Sequence, residues 1–225
     1  MSLPRRTLLL CGSAILAAGT LGGCSLGGNG LRQRFEEQFT RAGMSHDGWL
    51  SDSATEVTRL ETPLFASWLV LHARNAAQQG DQRNLIAAIP AEGNGFFALT
   101  AEPDNWAEVV MAAGARIDVP ASAAESARMM VLATNDFKGR QTMISSVDDM
   151  PWVDRGSADV TAVREEFGHD IRAPYAERDG KRWIATVWTT HEQDLMRHSV
   201  GIEPDLLHAD IPEVWVGGLA LQSDG

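Results

Sequence analysis

Lys181-Arg182-Trp183-Ile184-Ala185-Thr186-Val187-Trp188-Thr189-Thr190 reads as a β-strand with apolar residues on both faces. β-Branched and aromatic side chains dominate it, and alternate residues of a pleated strand share a face. Trp183, Ala185 and Val187 therefore point one way, and Ile184, Thr186 and Trp188 the other. Both faces need cover, either from helices on both sides or from a partner or ligand on one. Asp179-Gly180 is a two-residue hairpin signal and supplies an antiparallel neighbour over 171–177. Pro174 in that neighbour has no backbone N–H, which argues for a sheet edge. Residues 141–147, 195–203 and 214–221 read as further strands, and 159–167 as a short helix ahead of Gly168.

The first half reads differently. Over 31–42, Leu31, Phe35, Phe39 and Ala42 form one stripe, Glu37 can pair with Arg41, and Gly43 is a stop. Over 63–79 the signals favour a buried helix: Thr62 as cap, Pro63 at the first position, an apolar cluster from Leu64 to Leu71, and Gly80 as terminator. Residues 85–89 and 96–100 read as strands around an Ala91-Glu92-Gly93-Asn94-Gly95 turn, and 55–60 as a short strand or a helix start. Residues 104–113 form a helix ending at Gly114, and Ser122-Ala123-Ala124-Glu125 is a capping box opening a helix to about 134. The expected fold is α+β: a helix-rich N-terminal half packed on a largely antiparallel β-meander from the C-terminal half. It is read as one domain over 31–225, with a change of character near 136–140.

The N-terminus carries a different kind of signal. Arg5 and Arg6 precede an apolar run to Leu21, and small residues lead to Cys24. That is the order of an export signal, and the run is too rich in Gly and Ala for a span of ~20 apolar residues. Leu21-Gly22-Gly23-Cys24 resembles the lipobox of bacterial lipoproteins. The resemblance implies a signal peptide over 1–23, acylation of the Cys24 thiol by diacylglycerol and then palmitate, and a mature chain that begins there. Residues 24–30 would be a flexible tether. Arg5-Arg6-Thr7-Leu8-Leu9 also resembles a twin-arginine signal, although Pro4 and Leu10 depart from that pattern. Ser25 after the cysteine implies the periplasmic side of the outer membrane in a Gram-negative cell envelope.

Loss of residues 1–23 removes two arginines and no acid, so the net charge moves from −11 to −13. Such a chain does not neutralise phosphates, which argues against nucleic acid as a partner. The two cysteines are Cys11, which leaves with the signal, and Cys24. The mature body then has no thiol for disulfides, thiolate metal sites or nucleophilic catalysis.

Common catalytic motifs are missing: there is no G-x-S-x-G, P-loop or G-x-G-x-x-G. His191-Glu192-Gln193-Asp194-Leu195 begins like H-E-x-x-H but ends in leucine. Four of six histidines fall late, at His169, His191, His198 and His208, with Asp170, Glu192, Asp194 and Asp210 beside them. Imidazole and carboxylate suit zinc or copper, so His169, Asp170, His191, Glu192 and His198 are candidate metal ligands. The plainer reading of His198, which alternates with Val200 and Ile202, is a hydrogen-bonded core histidine. Trp183 and Trp188 are candidate stacking platforms for a sugar. The expectation is a membrane-anchored envelope lipoprotein with a binding or accessory role, no cofactor, and another envelope protein or a cell-wall polymer as partner. The alternative is a periplasmic metal-binding protein or hydrolase.

Overall fold

The computed structural model describes residues 28–44, 48–75, 84–139 and 141–222. The export signal with Arg5 and Arg6, and the lipobox with Cys24, lie outside the described residues. Among the described residues the chain folds as α+β, with helices mostly in the first half and the larger antiparallel sheet in the second.

Helix α1 (Gly28–Arg41) starts inside the stretch read as tether. Strands β1 (Thr55–Leu60), β2 (Trp68–Asn75), β3 (Asn84–Pro90) and β4 (Phe97–Ala98) form sheet I in that order. Helices α2 (Pro103–Ala112) and α3 (Pro120–Ala133) follow. Strand β5 (Gln141–Ile144) and helix α4 (Ala158–Phe167) precede the meander β6 (Tyr175–Asp179), β7 (Arg182–His191), β8 (Asp194–Ile202) and β9 (His208–Val216). In sheet II, β5 and β6 both pair with β7 on the side away from β8, and β9 pairs with β8 at the opposite edge.

Apolar burial arranges these parts in layers. Phe35 and Phe39 of α1 pack with Leu69, Leu71 and Ile89 on the outer face of sheet I. The inner face of sheet I, through Val70, Ile86 and Ala88, meets α2 and α3, and the same core continues into Trp183, Ala185, Val187 and Val200 of sheet II. The outer face of sheet II, through Trp188, Leu195 and Ile144, is covered by Val160 and Val163 of α4 and by Met150 and Trp152. Helices thus lie on both sides of β7, which answers the two-faced pattern of its sequence.

Four readings are corrected. The described part of the stretch 63–79 does not form a helix: β2 occupies 68–75, Thr62 Oγ1 accepts the Leu64 N–H of a turn, and 76–79 with the stop at Gly80 lie outside the described residues. The apolar run reflects a strand covered on both faces, which has no clean alternation to distinguish it from a buried helix. The last strand runs over His208–Val216 rather than 214–221, with Pro212 on its edge. The hairpin loop is Gly180-Lys181, one residue later than expected, since Asp179 pairs with Arg182 and Gly180 takes the positive φ of 61°. Helix α3 also begins early: Ser122 Oγ bonds back to Val119, with Pro120 as the first helical residue.

Candidate functional site

Three adjacent strands contribute to one polar row on the helix-facing side of sheet II. Val187 of β7 sits opposite His198 of β8, and Val200 sits opposite Asp210 of β9, so Thr189, His198 and Asp210 share that face on a diagonal. His198 Nδ1 is 2.7 Å from Asp210 Oδ2. His198 Nε2 is 3.1 Å from Thr189 Oγ1. A carboxylate only accepts, so Nδ1 donates to Asp210, and Nε2 pairs with the Thr189 hydroxyl. The order hydroxyl–imidazole–carboxylate is that of a nucleophile triad. Thr189, however, is 0% exposed and His198 only 7%. In this arrangement the hydroxyl holds the ring in place and is not presented to a substrate. The second Asp210 oxygen, Oδ1, is buried and has no hydrogen-bond partner among the described residues.

This row forms one wall of a cleft of about 410 Å³. Val131, Thr134 and Asn135, from the end of α3, form the opposite wall with Asp136 and Ala101. His191 and Gln141 stand at the side, and Met196 and Pro212 add apolar surface. Among the described residues no lysine or arginine lines it. Asp136 accepts the Lys138 backbone N–H at 3.1 Å, and that bond holds its carboxyl below the usual range. The Lys138 ammonium, exposed at the rim, is 3.2 Å from the other Asp136 oxygen.

Backbone geometry draws the cleft together. Gly139 has φ of 127°, and a Cβ there would stand 2.9 Å from Glu192 Oε1 and 3.0 Å from His191 Nε2. Only glycine lets the α3–β5 loop close against the β7–β8 turn in this way. Ala101, Phe137 and Glu192, all in or beside the cleft, are non-glycine residues with φ between 52° and 57°. Backbone of this kind persists where surrounding structure over-determines it, and it collects at functional sites. The Ala101 N–H donates to the Thr134 carbonyl at 3.2 Å, tying its loop to the end of α3.

The structure brings together some of the residues singled out above and separates others. His191 and His198 line one cleft, with Glu192 on the adjoining turn. His169 and Asp170 form an exposed pair at 3.3 Å beyond α4, on the other side of sheet II. Among the described residues, no three His, Cys, Asp or Glu side chains form a metal-binding group. Trp183 is 6% exposed, donates to the Ile117 carbonyl at 3.1 Å and carries Arg178 over its ring. Trp188 is 1% exposed and packs edge-to-face on Trp215. Neither ring is an open platform. Thr189 and Asp136 were not anticipated. Strand parity alone would have placed Thr189 beside Val187, whereas nothing local in the sequence marks Asp136.

His208 belongs to a second polar chain. Trp106 Nε1 donates to Ser126 Oγ at 3.2 Å, Ser126 lies 2.8 Å from His208 Nε2, and His208 Nδ1 donates to the Leu206 carbonyl at 2.7 Å. Burial pushes the His208 imidazole down to about 4. The chain pins α2 and α3 to β9.

No protein-family model matches this chain, and no curated protein or solved structure is significantly similar to it.

Proposed function

We propose that this chain is a lipid-anchored lipoprotein of the bacterial cell envelope, tethered through Cys24 on the periplasmic side, that acts as a binding or accessory protein. Its ligand seat is the cleft at the end of α3. The observation that carries this reading is a concave site of small-molecule size whose rear wall is a hydrogen-bonded row with one carboxylate oxygen left without a donor. The lipobox resemblance supplies the address. Three acyl chains, at ~0.8 kcal/mol per buried CH₂, would hold the protein lastingly where one would not. Membrane sedimentation of the full chain tests the address. The native chain pellets with membranes, and Cys24→Ser leaves an unprocessed precursor without lipid. A Cys24→Ser product that still pellets at the mature size overturns the tether.

A second reading, a metal-binding protein or hydrolase using zinc or copper, draws on His191 and His198 lining the same cleft. Elemental analysis of the purified chain separates the two. One equivalent of zinc or copper supports the second reading, and its absence from protein purified without chelators removes it.

A further inference from the structure

We infer that the end of the body formed by the first turns of α1 and the loop over 48–54 is the surface that meets the lipid bilayer, at a layer of zwitterionic headgroups. The inference rests on the acylation of Cys24 proposed above, and adds which face of the fold the anchor turns toward the membrane. α1 begins at Gly28, so three residues separate it from Cys24. An extended chain advances by no more than about 3.6 Å per residue, which keeps the start of α1 within roughly 14 Å of the acylated residue. A tether running to residue 30 would have allowed nearly twice that reach.

Hydrogen bonds fix what lies beside that first turn. Arg32 stands one turn into α1, and helical side chains lean toward the N-terminus. Its guanidinium donates to the Leu50 carbonyl at 2.8 Å and to the Asp52 carbonyl at 2.6 Å. One turn further on, the Ser51 hydroxyl bonds to Glu36. At the other end of the helix, Gln38 donates to the Gly93 carbonyl at 3.2 Å and Arg41 bonds to Asn94. The turn over 91–95 therefore stands at the far end of a helix roughly 20 Å long. The near surface suits headgroups. Gly48, Ser51, Asp52 and Ser53 are exposed, and Trp49 is partly buried against the cluster under α1. An indole with one packed side and one open side fits the membrane interface. The Asp52 and Glu36 carboxylates make neutral, zwitterionic lipid a better fit than anionic lipid.

The test uses the acylated full chain in phosphatidylcholine vesicles. Acylation occupies Cys24 and cleavage removes Cys11, so a cysteine placed on the surface is the one free thiol.

Ser53→Cys marks the near end and Glu92→Cys the far end, both at exposed positions. Each variant carries a fluorophore on its thiol, and lipids bearing a nitroxide on the headgroup quench it. The label at position 53 is expected to be quenched severalfold more strongly than the label at position 92. Equal quenching at the two positions, including none at either, or stronger quenching at 92, overturns the orientation while the anchor stands. A product of mature size whose mass shows no acyl group overturns the anchor and this inference together.

Discussion

His208 shows how burial rewrites a side chain. Its ring is locked between Ser126 and the Leu206 carbonyl, and its pKa is about 4, against 6.5 for a free imidazole. The unfolded chain therefore binds the proton more tightly than the folded one. The stabilisation is complete above pH 6.5 and is lost as pH falls toward 4. By pH 5 the loss from this one group is about 2 kcal/mol. His72 is shifted in the same direction, chiefly by burial, and adds to the trend. Urea denaturation at pH 7 and pH 5 should show the drop, and His208→Gln, which cannot titrate, should flatten it. Gly139 gives a second prediction at this scale. Gly139→Ala forces alanine into φ of 127° and pushes on Glu192 and His191. It should destabilise the fold by roughly 1–3 kcal/mol and shift the His191 ring signal, while the His169 signal stays fixed.

Among the elements, β2 is the instructive one. Val70 faces the helices and Leu71 faces α1, at 1% and 0% exposure. Neighbouring positions in a strand covered on both sides are both expensive to truncate. Val70→Ala should cost about 2 kcal/mol and Leu71→Ala about 3, read as shifts in the denaturation midpoint. Glu56→Ala, exposed on β1, should change little. The same two-sidedness hid β2 from the sequence. Thr62, Pro63 and Gly80 looked like helix punctuation, and the apolar run offered no period of two. β7 was legible despite the same burial, because a hairpin signal preceded it and tryptophan, valine and threonine filled it. Helices α2 and α4 were legible from their stops, with ends that moved by one residue or fewer, whereas α3 was legible as a helix but its N-cap lies at Val119, three residues before the Ser122 that was read as cap. His198 was legible as a core histidine, since Val200 and Ile202 share its parity. The cleft itself was not, because it joins α3, β5, β7, β8 and β9, and only the pairing of strands brings Asp136 near Asp210.

For the molecule as a whole, the layers explain why the site sits where it does. Two sheets clasp α2 and α3, and the cleft opens at the C-terminal end of α3. Its walls come from residues more than a hundred positions apart, so it exists only when the whole chain is folded.

Ala123, Ala127 and Ala133 run along α3 at 0% exposure, between two β-layers. These methyl groups act as a shim that fixes the gap. A bulkier residue at any of them would pry the layers apart and widen the mouth at the helix's end, so the aperture of the cleft is gauged by residues that never touch what enters it.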